Sequence, residues 1–208
     1  MEARRYMLTA SNFGSVLAGK NTKRHRDLVR EAVDAFIGVP DFDSDQEDKL
    51  RRNPWFRHGT EWEDDAIAEY EFIREVEVQR AGLLVHQEYE FVGCSPDGLV
   101  GSDGGVEVKS RRSFKAFVKS ADAGVESVYI PQIQGCMWVT GRKWWDYISY
   151  YRPSSGAFFV EVEERNTEIH IYRVYRDEIY IKELERACLS TWDEIQQLLK
   201  EKRNGKRC

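Results

Sequence analysis

Within residues 94–110, CSPDGLVGSDGGVEVKS, three ionisable side chains, Asp97, Glu107 and Lys109, interrupt a pattern that otherwise reads as two buried strands and a turn. In an extended strand residues i and i+2 share a face, so Glu107 and Lys109 point one way and Val106 and Val108 the other. Asp97 sits in the bend sequence Ser95-Pro96-Asp97-Gly98, and a hairpin turning through 102–105, SDGG, returns it to the side of Glu107. Two carboxylates so placed repel each other unless a cation neutralises them or one takes up a proton. A hard divalent cation suits them, since Mg2+ prefers oxygen ligands, accepts one or two protein carboxylates and keeps several waters. Such an ion polarises a phosphoryl group and lowers the pKa of a bound water, while Lys109 orients that water or stabilises developing charge. The chemistry expected is phosphodiester hydrolysis with Mg2+, for which Mn2+ can substitute.

The Glu-x-Lys pattern alone carries little. Glu47-Asp48-Lys49 repeats it inside GVPDFDSDQEDKLRRNP, where crowded charge between prolines makes a solvated loop or a loosely ordered helix. The later copy differs in its flanking strand valines and in the Pro96-Asp97 that precedes it at a hairpin's distance. Its bland alternative is an exposed cross-strand salt bridge, worth ~1 kcal/mol or less.

The elements that must position these groups are legible as changes of period. Helical spacing of Leu28, Val29, Ala32, Val33 and Phe36 predicts a helix over 22–37, closed by Gly38 and Pro40. A second helix is predicted over 59–73, with Trp62, Ala66, Tyr70 and Ile73 on one stripe and Glu63 at its edge. From Val76 to Lys109 the period falls to two, giving strands VEVQR, LLVHQEYEFVG and GVEVKS. Helical segments follow at 113–120 and 127–139, then strands KWWDYISYY, AFFVEVEE and IHIYRVY, and a closing helix over 177–202. Strands flanked by helices at both ends give an α/β or α+β fold with a mixed central β-sheet.

Size and composition bound the rest. With 208 residues, 41% hydrophobic content and six Trp, the chain holds one substantial core, and a single domain over 1–208 is expected. The net charge of −5 by itself argues weakly against a nucleic-acid partner. Charge is unevenly placed, however: Arg111, Arg112, Lys115 and Lys119 follow the active stretch, and a basic tail over 200–208 carries Lys200, Lys202, Arg203, Lys206 and Arg207. Cys94, Cys136, Cys188 and Cys208 are too widely spaced for a compact zinc site or a disulfide framework and read as free thiols. No apolar run approaches the ~20 residues of a membrane span, and the first residues lack a signal peptide's apolar stretch, so a cytoplasmic setting without membrane contact is expected.

Several separate stretches, in order, resemble the phage lambda exonuclease-like alkaline exonucleases, which carry the Pro-Asp…Glu-x-Lys core of restriction-endonuclease-like folds. They are Arg4 with LTAS (8–11), HGTEWEDDA (58–66), CSPDGL (94–99), VEVKS (106–110) and QIQGCMWVTGR (132–142). The resemblance implies that Asp97, Glu107 and the Val108 carbonyl hold the metal, and that Lys109 activates the water. It implies that Glu63 completes the acidic cluster, near a second metal or the attacking water. Arg4, Ser11, Ser95 and Gln134 would hold the 5′-phosphate of a DNA end. Ser11 also opens a short helix, so a capping role is compatible with phosphate binding. Gln132 and Gln134 fall on opposite flanks of the Ile130, Ile133 and Met137 stripe, and the resemblance favours Gln134 as the one that reaches the site. A weaker positional match puts Phe56, next to Trp55, where the family uses an apolar wedge to part terminal base pairs; core packing serves equally well for both.

The resemblance implies a 5′→3′ exonuclease on linear double-stranded DNA, releasing 5′-mononucleotides and leaving a 3′ overhang. It also implies a homotrimeric ring around the duplex and a single-strand annealing protein as partner. A restriction- or repair-type endonuclease shares the core but has no use for a 5′-phosphate pocket, and a non-catalytic DNA-binding protein has no use for an intact core. The iron-sulfur nucleases of similar core require clustered cysteines, which this chain lacks.

Overall fold

Residues 7–38, 54–152 and 168–205 are described by the computed structural model, with side chains from residue 62 onward in the second stretch. Strand β1, Leu8–Thr9, leads through a 3-10 turn, Ala10–Asn12, into the short helix α1, Phe13–Val16. Helix α2, Lys23–Phe36, begins where the Thr22 side chain accepts the His25 N–H at 3.2 Å, and buries Leu28, Val29 and Val33 on its predicted stripe. Helix α3, Pro54–Arg74, starts at 54 where the sequence predicted 59, and proline is tolerated at a first helical turn, whose N–H has no partner in any case.

Four short strands follow: β2 (Val78–Gln79), β3 (Leu84–Val85), β4 (Val92–Cys94) and β5 (Gly98–Val100). The single strand expected over LLVHQEYEFVG is in fact the hairpin β3–β4. The His86 ring breaks it, its Nδ1 accepting the N–H groups of Glu88 at 3.1 Å and Tyr89 at 3.3 Å. Strand β6, Gly104–Ser110, then leads to helix α4, Phe114–Ala123, capped by Ser113, and α5, Ile130–Thr140, which Gly141 ends in the left-handed conformation. Strands β7 (Trp144–Tyr151) and β8 (Glu168–Tyr175) precede the long helix α6, Glu178–Gly205. Asp177 caps α6 by accepting from Ile179 and Tyr180, and the helix runs on into the predicted basic tail. The strand expected at AFFVEVEE lies outside the described residues.

The central sheet has the order β2-β5-β6-β7-β8, with β6 and β7 parallel and the other neighbours antiparallel; a second sheet has the order β1-β4-β3. The expected mixed sheet flanked by helices is therefore present. Its two faces pack differently because β6 and β7 alternate. Val106, Val108, Ile148 and Tyr150 bury against Ala66, Ile67 and Tyr70 of α3, each contributing on the order of 1.5–3 kcal/mol. The larger core, on the other side, joins α1, α2, α5 and α6 to β4 and β7 around Phe13, Ile133, Met137, Trp145 and Leu184.

The β5–β6 turn is one residue pair shorter than the SDGG reading. Gly104 and Gly105 belong to β6, since a Cβ on either would collide with the ring of Trp144 or Trp145 on the neighbouring strand. The three backbone oxygens of Val100, Gly101 and Gly104 accept from a single nitrogen of Arg142, at 3.2, 2.8 and 2.7 Å, which pins the turn.

Candidate active site

The antiparallel register of β5 on β6 pairs Gly98 with Val106, and one step further along places Asp97 opposite Glu107. Asp97 Oδ2 accepts the Val108 N–H at 2.7 Å. The acid is thus fastened to the strand that carries the other two groups. Glu107 and Lys109 share the face opposite the α3 core, and Glu107 is 1% exposed. Its Oε1 accepts from the Lys109 ammonium and from Gln132 Nε2, the latter at 2.6 Å. Its Oε2 is buried with no hydrogen-bond partner. A buried carboxylate oxygen left open beside a second carboxylate is a place for a cation.

Electrostatics agree with that geometry. Burial, and next the charge of Glu107, push Asp97 up to about 8, against the hydrogen bond from Val108. Burial also raises Glu107, with Glu63 adding to it, while Lys109 works the other way. Burial disfavours the Lys109 ammonium, but Glu107 and Asp97 outweigh it and leave Lys109 above its ordinary value. The cluster therefore keeps a proton at neutral pH, which a divalent cation would displace. Among the described residues no three His, Cys, Asp or Glu side chains form a cage, so an ion held by Asp97 and Glu107 would complete its shell with backbone oxygen and water.

The Lys109 ammonium also lies 5.0 Å from the centre of the Tyr129 ring, and that ring packs on Tyr147 at 5.6 Å. Tyr147 in turn donates to Glu126 at 2.8 Å, and Arg111 bonds Glu126 at 2.6 Å and Ser149 at 2.9 Å. On the far side of the sheet, the fully buried Asp146 accepts two bonds from Arg173, both 2.8 Å, and one from Tyr70 at 2.8 Å. That network joins α3, β7 and β8 below the site.

A family model described as the YqaJ-like viral recombinase domain matches residues 1–143. The chain belongs to the YqaJ-like viral recombinase family. The alkaline exonuclease LHK-Exo from Laribacter hongkongensis aligns at 25% identity with a TM-score of 0.80, over 99% of this chain and 96% of that one. Its complex with dAMP aligns over the same shares at 25% identity and 0.81. A phage-related exonuclease from Haemophilus somnus 129PT, 18% identical with a TM-score of 0.68 over 94% of this chain and 96% of that one, shares the fold. No curated protein matches the chain. The resemblance to lambda exonuclease-like enzymes and the restriction-endonuclease-like fold are borne out.

In this YqaJ-like chain the nuclease core residues come together as spacing predicts, and other expected site residues are distributed more widely. Glu63 is half-buried on α3 and its charge reaches both Asp97 and Glu107. Ser11 lies inside the 3-10 turn instead of capping it, exposed, with its Oγ 3.1 Å from that of Thr9. Thr9 pairs with Gly93 across the parallel strands β1 and β4, so Ser11 and Ser95, each two residues on, leave the same end of that pair. The glutamine that bonds the carboxylate cluster is Gln132, where the expectation favoured Gln134. Gln134 is 4% exposed and both ends of its amide are engaged elsewhere, donating to the Tyr175 carbonyl and accepting from the Asp177 N–H, both at 2.9 Å. Arg4 and the side chain of Phe56 lie outside the described residues.

Sequence reasoning missed Gln132's contact, Tyr129, and Arg80, which donates to Glu63 at 2.7 Å and to the Asp97 carbonyl at 3.0 Å. Gln132 had a signal, its place across the α5 stripe; Tyr129 and Arg80 had none, because their neighbours come from distant segments. Cys94, Cys136 and Cys188 are buried free thiols, as expected. No helix among the described residues is long and apolar enough to cross a membrane.

Proposed function

We propose that this chain is a Mg2+-dependent deoxyribonuclease that digests one strand of linear duplex DNA from its 5′ end. The observation that carries this is the buried, unpartnered Glu107 Oε2 beside an Asp97 fixed to the same strand, next to the Lys109 ammonium. Membership of a viral recombinase family and the likeness to an alkaline exonuclease support DNA as substrate. Asp97, Glu107 and the Val108 carbonyl hold Mg2+ or Mn2+, with Glu63 at the edge of the cluster. When bound, the ion offers Lewis acidity and a more acidic water.

The chain's own groups do the rest. Lys109, a half-buried cation against Glu107 and over Tyr129, orients the attacking water and stabilises charge on the phosphoryl oxygens. The water oxygen bonds to phosphorus, the P–O3′ bond breaks, and the water's proton and the proton taken by O3′ exchange with solvent. The released nucleotide carries a 5′-phosphate, and the shortened strand presents a new one. A pocket at Ser11 and Ser95, with Arg4 added, holds that new end, so each turnover regenerates its own recognition element. A single domain over 1–208, a homotrimeric ring, a cytoplasmic setting and a strand-annealing partner that coats the 3′ overhang complete the reading.

Incubation of linear and closed circular duplex with the protein and Mg2+ tests end dependence. Linear DNA is degraded and circular DNA persists; equal rates on both would favour the endonuclease of restriction or repair type.

A further inference from the structure

Arg80 follows β2, which pairs with β5 in the register Gln79 to Leu99, so the backbone delivers its side chain to the start of β5 and to Asp97. One guanidinium nitrogen, Nη1, donates to Glu63 Oε1 at 2.7 Å and to the Asp97 backbone carbonyl at 3.0 Å. The other, Nη2, bonds Asp64 on the same helix as Glu63. The side chain is 45% exposed, so these bonds are not a by-product of filling the core. Their joint effect is to tie α3 to the bend that presents Asp97. Glu63 stands close enough that its charge bears on both Asp97 and Glu107. Left alone, Glu63 would add a third negative charge beside the Asp97 and Glu107 pair, and added carboxylate charge favours uptake of a further divalent ion.

We infer that Arg80 is a positioning residue that serves as a built-in cation. It holds Glu63 against the Asp97 backbone and neutralises it, so that the DNA-free protein offers one divalent-cation position, at Asp97 and Glu107, in place of two. The inference rests on the metal-nuclease reading of the site. Arginine suits the task because its planar fork aims several N–H groups in fixed directions, whereas lysine supplies a point charge.

Titration of the DNA-free protein with Mn2+, followed by the electron paramagnetic resonance signal of the free ion, counts the bound metal directly. The parent chain takes up one Mn2+, Arg80→Gln takes up a second and weaker one, and the double variant R80Q/E63Q returns to one. Arg80→Lys, which keeps the charge, stays at one. Two ions on the parent chain, one ion on R80Q, or two on R80K or on the double variant would overturn the inference. Glu107→Gln separates this failure from that of the underlying reading: if E107Q binds Mn2+ as tightly as the parent, the site assignment falls and the role of Arg80 with it. If E107Q loses the ion while R80Q still binds only one, the site stands and Arg80 alone is misassigned. Digestion by R80Q also acquires a sigmoidal dependence on Mg2+ where the parent shows a hyperbola.

Discussion

Asp97 Oδ2 accepts the backbone N–H of Val108 at 2.7 Å, a bond between neighbouring strands that sets the acid of one beside the acid and amine of the other. Because Val108 lies between Glu107 and Lys109, the bond makes the geometry of all three functional groups depend on a single register. A slip of one residue would turn Glu107 and Lys109 into the α3 core and Val106 and Val108 into the site.

Lys109→Ala tests the amine. It removes the ammonium from Glu107 and from the Tyr129 ring but leaves both carboxylates. Digestion of linear duplex should fall by about 100-fold or more, while duplex binding in Ca2+ stays within about twofold of the parent. Equal turnover by variant and parent would remove Lys109 from the mechanism.

The carboxyl pair predicts an unusual pH dependence of stability without metal. Asp97 is pushed from 3.8 up to about 8, so the folded state keeps a proton that the unfolded chain releases. That contribution is complete below the unfolded value and disappears as pH rises through about 8. Thermal melting of the metal-free protein should therefore decline from about pH 5 to about pH 8, and D97N, which stays neutral, should decline less. Mg2+ should restore much of the loss at the alkaline end, where it no longer competes with the proton. Parallel profiles for parent and D97N would contradict this account.

Much of the core was legible because its signals are local. The alternation of Val106, Glu107, Val108 and Lys109 and the Pro96-Asp97 bend lie within one hairpin, so period and turn chemistry suffice. Gly104 and Gly105 read as turn residues because the reason for them, the Trp144 and Trp145 rings, arrives from a parallel strand about forty residues later. Gln132 and Gln134 lie about 200° apart on α5, and only the seating of that helix on β4 and β7 decides which of them meets Glu107. Arg80 left no trace in periodicity, since Glu63 and Asp97 reach it from a helix before it and a bend after it.

End recognition is tested by the serines. Replacing Ser11 and Ser95 together by Ala should reduce the preference for a 5′-phosphate over a 5′-hydroxyl end by about tenfold, through loss of hydrogen bonds to the anion. Competition digestion of the two ends measures it. An undiminished preference would place the phosphate pocket elsewhere.

Asp146 separates scaffold from chemistry. It is fully buried and satisfies both Arg173 and Tyr70, so Asp146→Ala leaves a cation and a phenol without their partner. Urea unfolding should show a loss of about 3 kcal/mol. Below its melting temperature the variant should keep its KM, because the network faces α3, away from Glu107. A stability change under about 0.5 kcal/mol would show that the ion pair is not a structural tie.

The central claim is that Asp97, Glu107 and Lys109 hydrolyse DNA from the 5′ end. Linear duplex carrying a label at either the 5′ or the 3′ terminus of one strand, incubated with the parent chain and Mg2+, tests it most directly. The 5′ label should appear first, as a mononucleotide, with the 3′ label staying in long fragments until late. Early release of the 3′ label, or a first product of several nucleotides, would contradict the account.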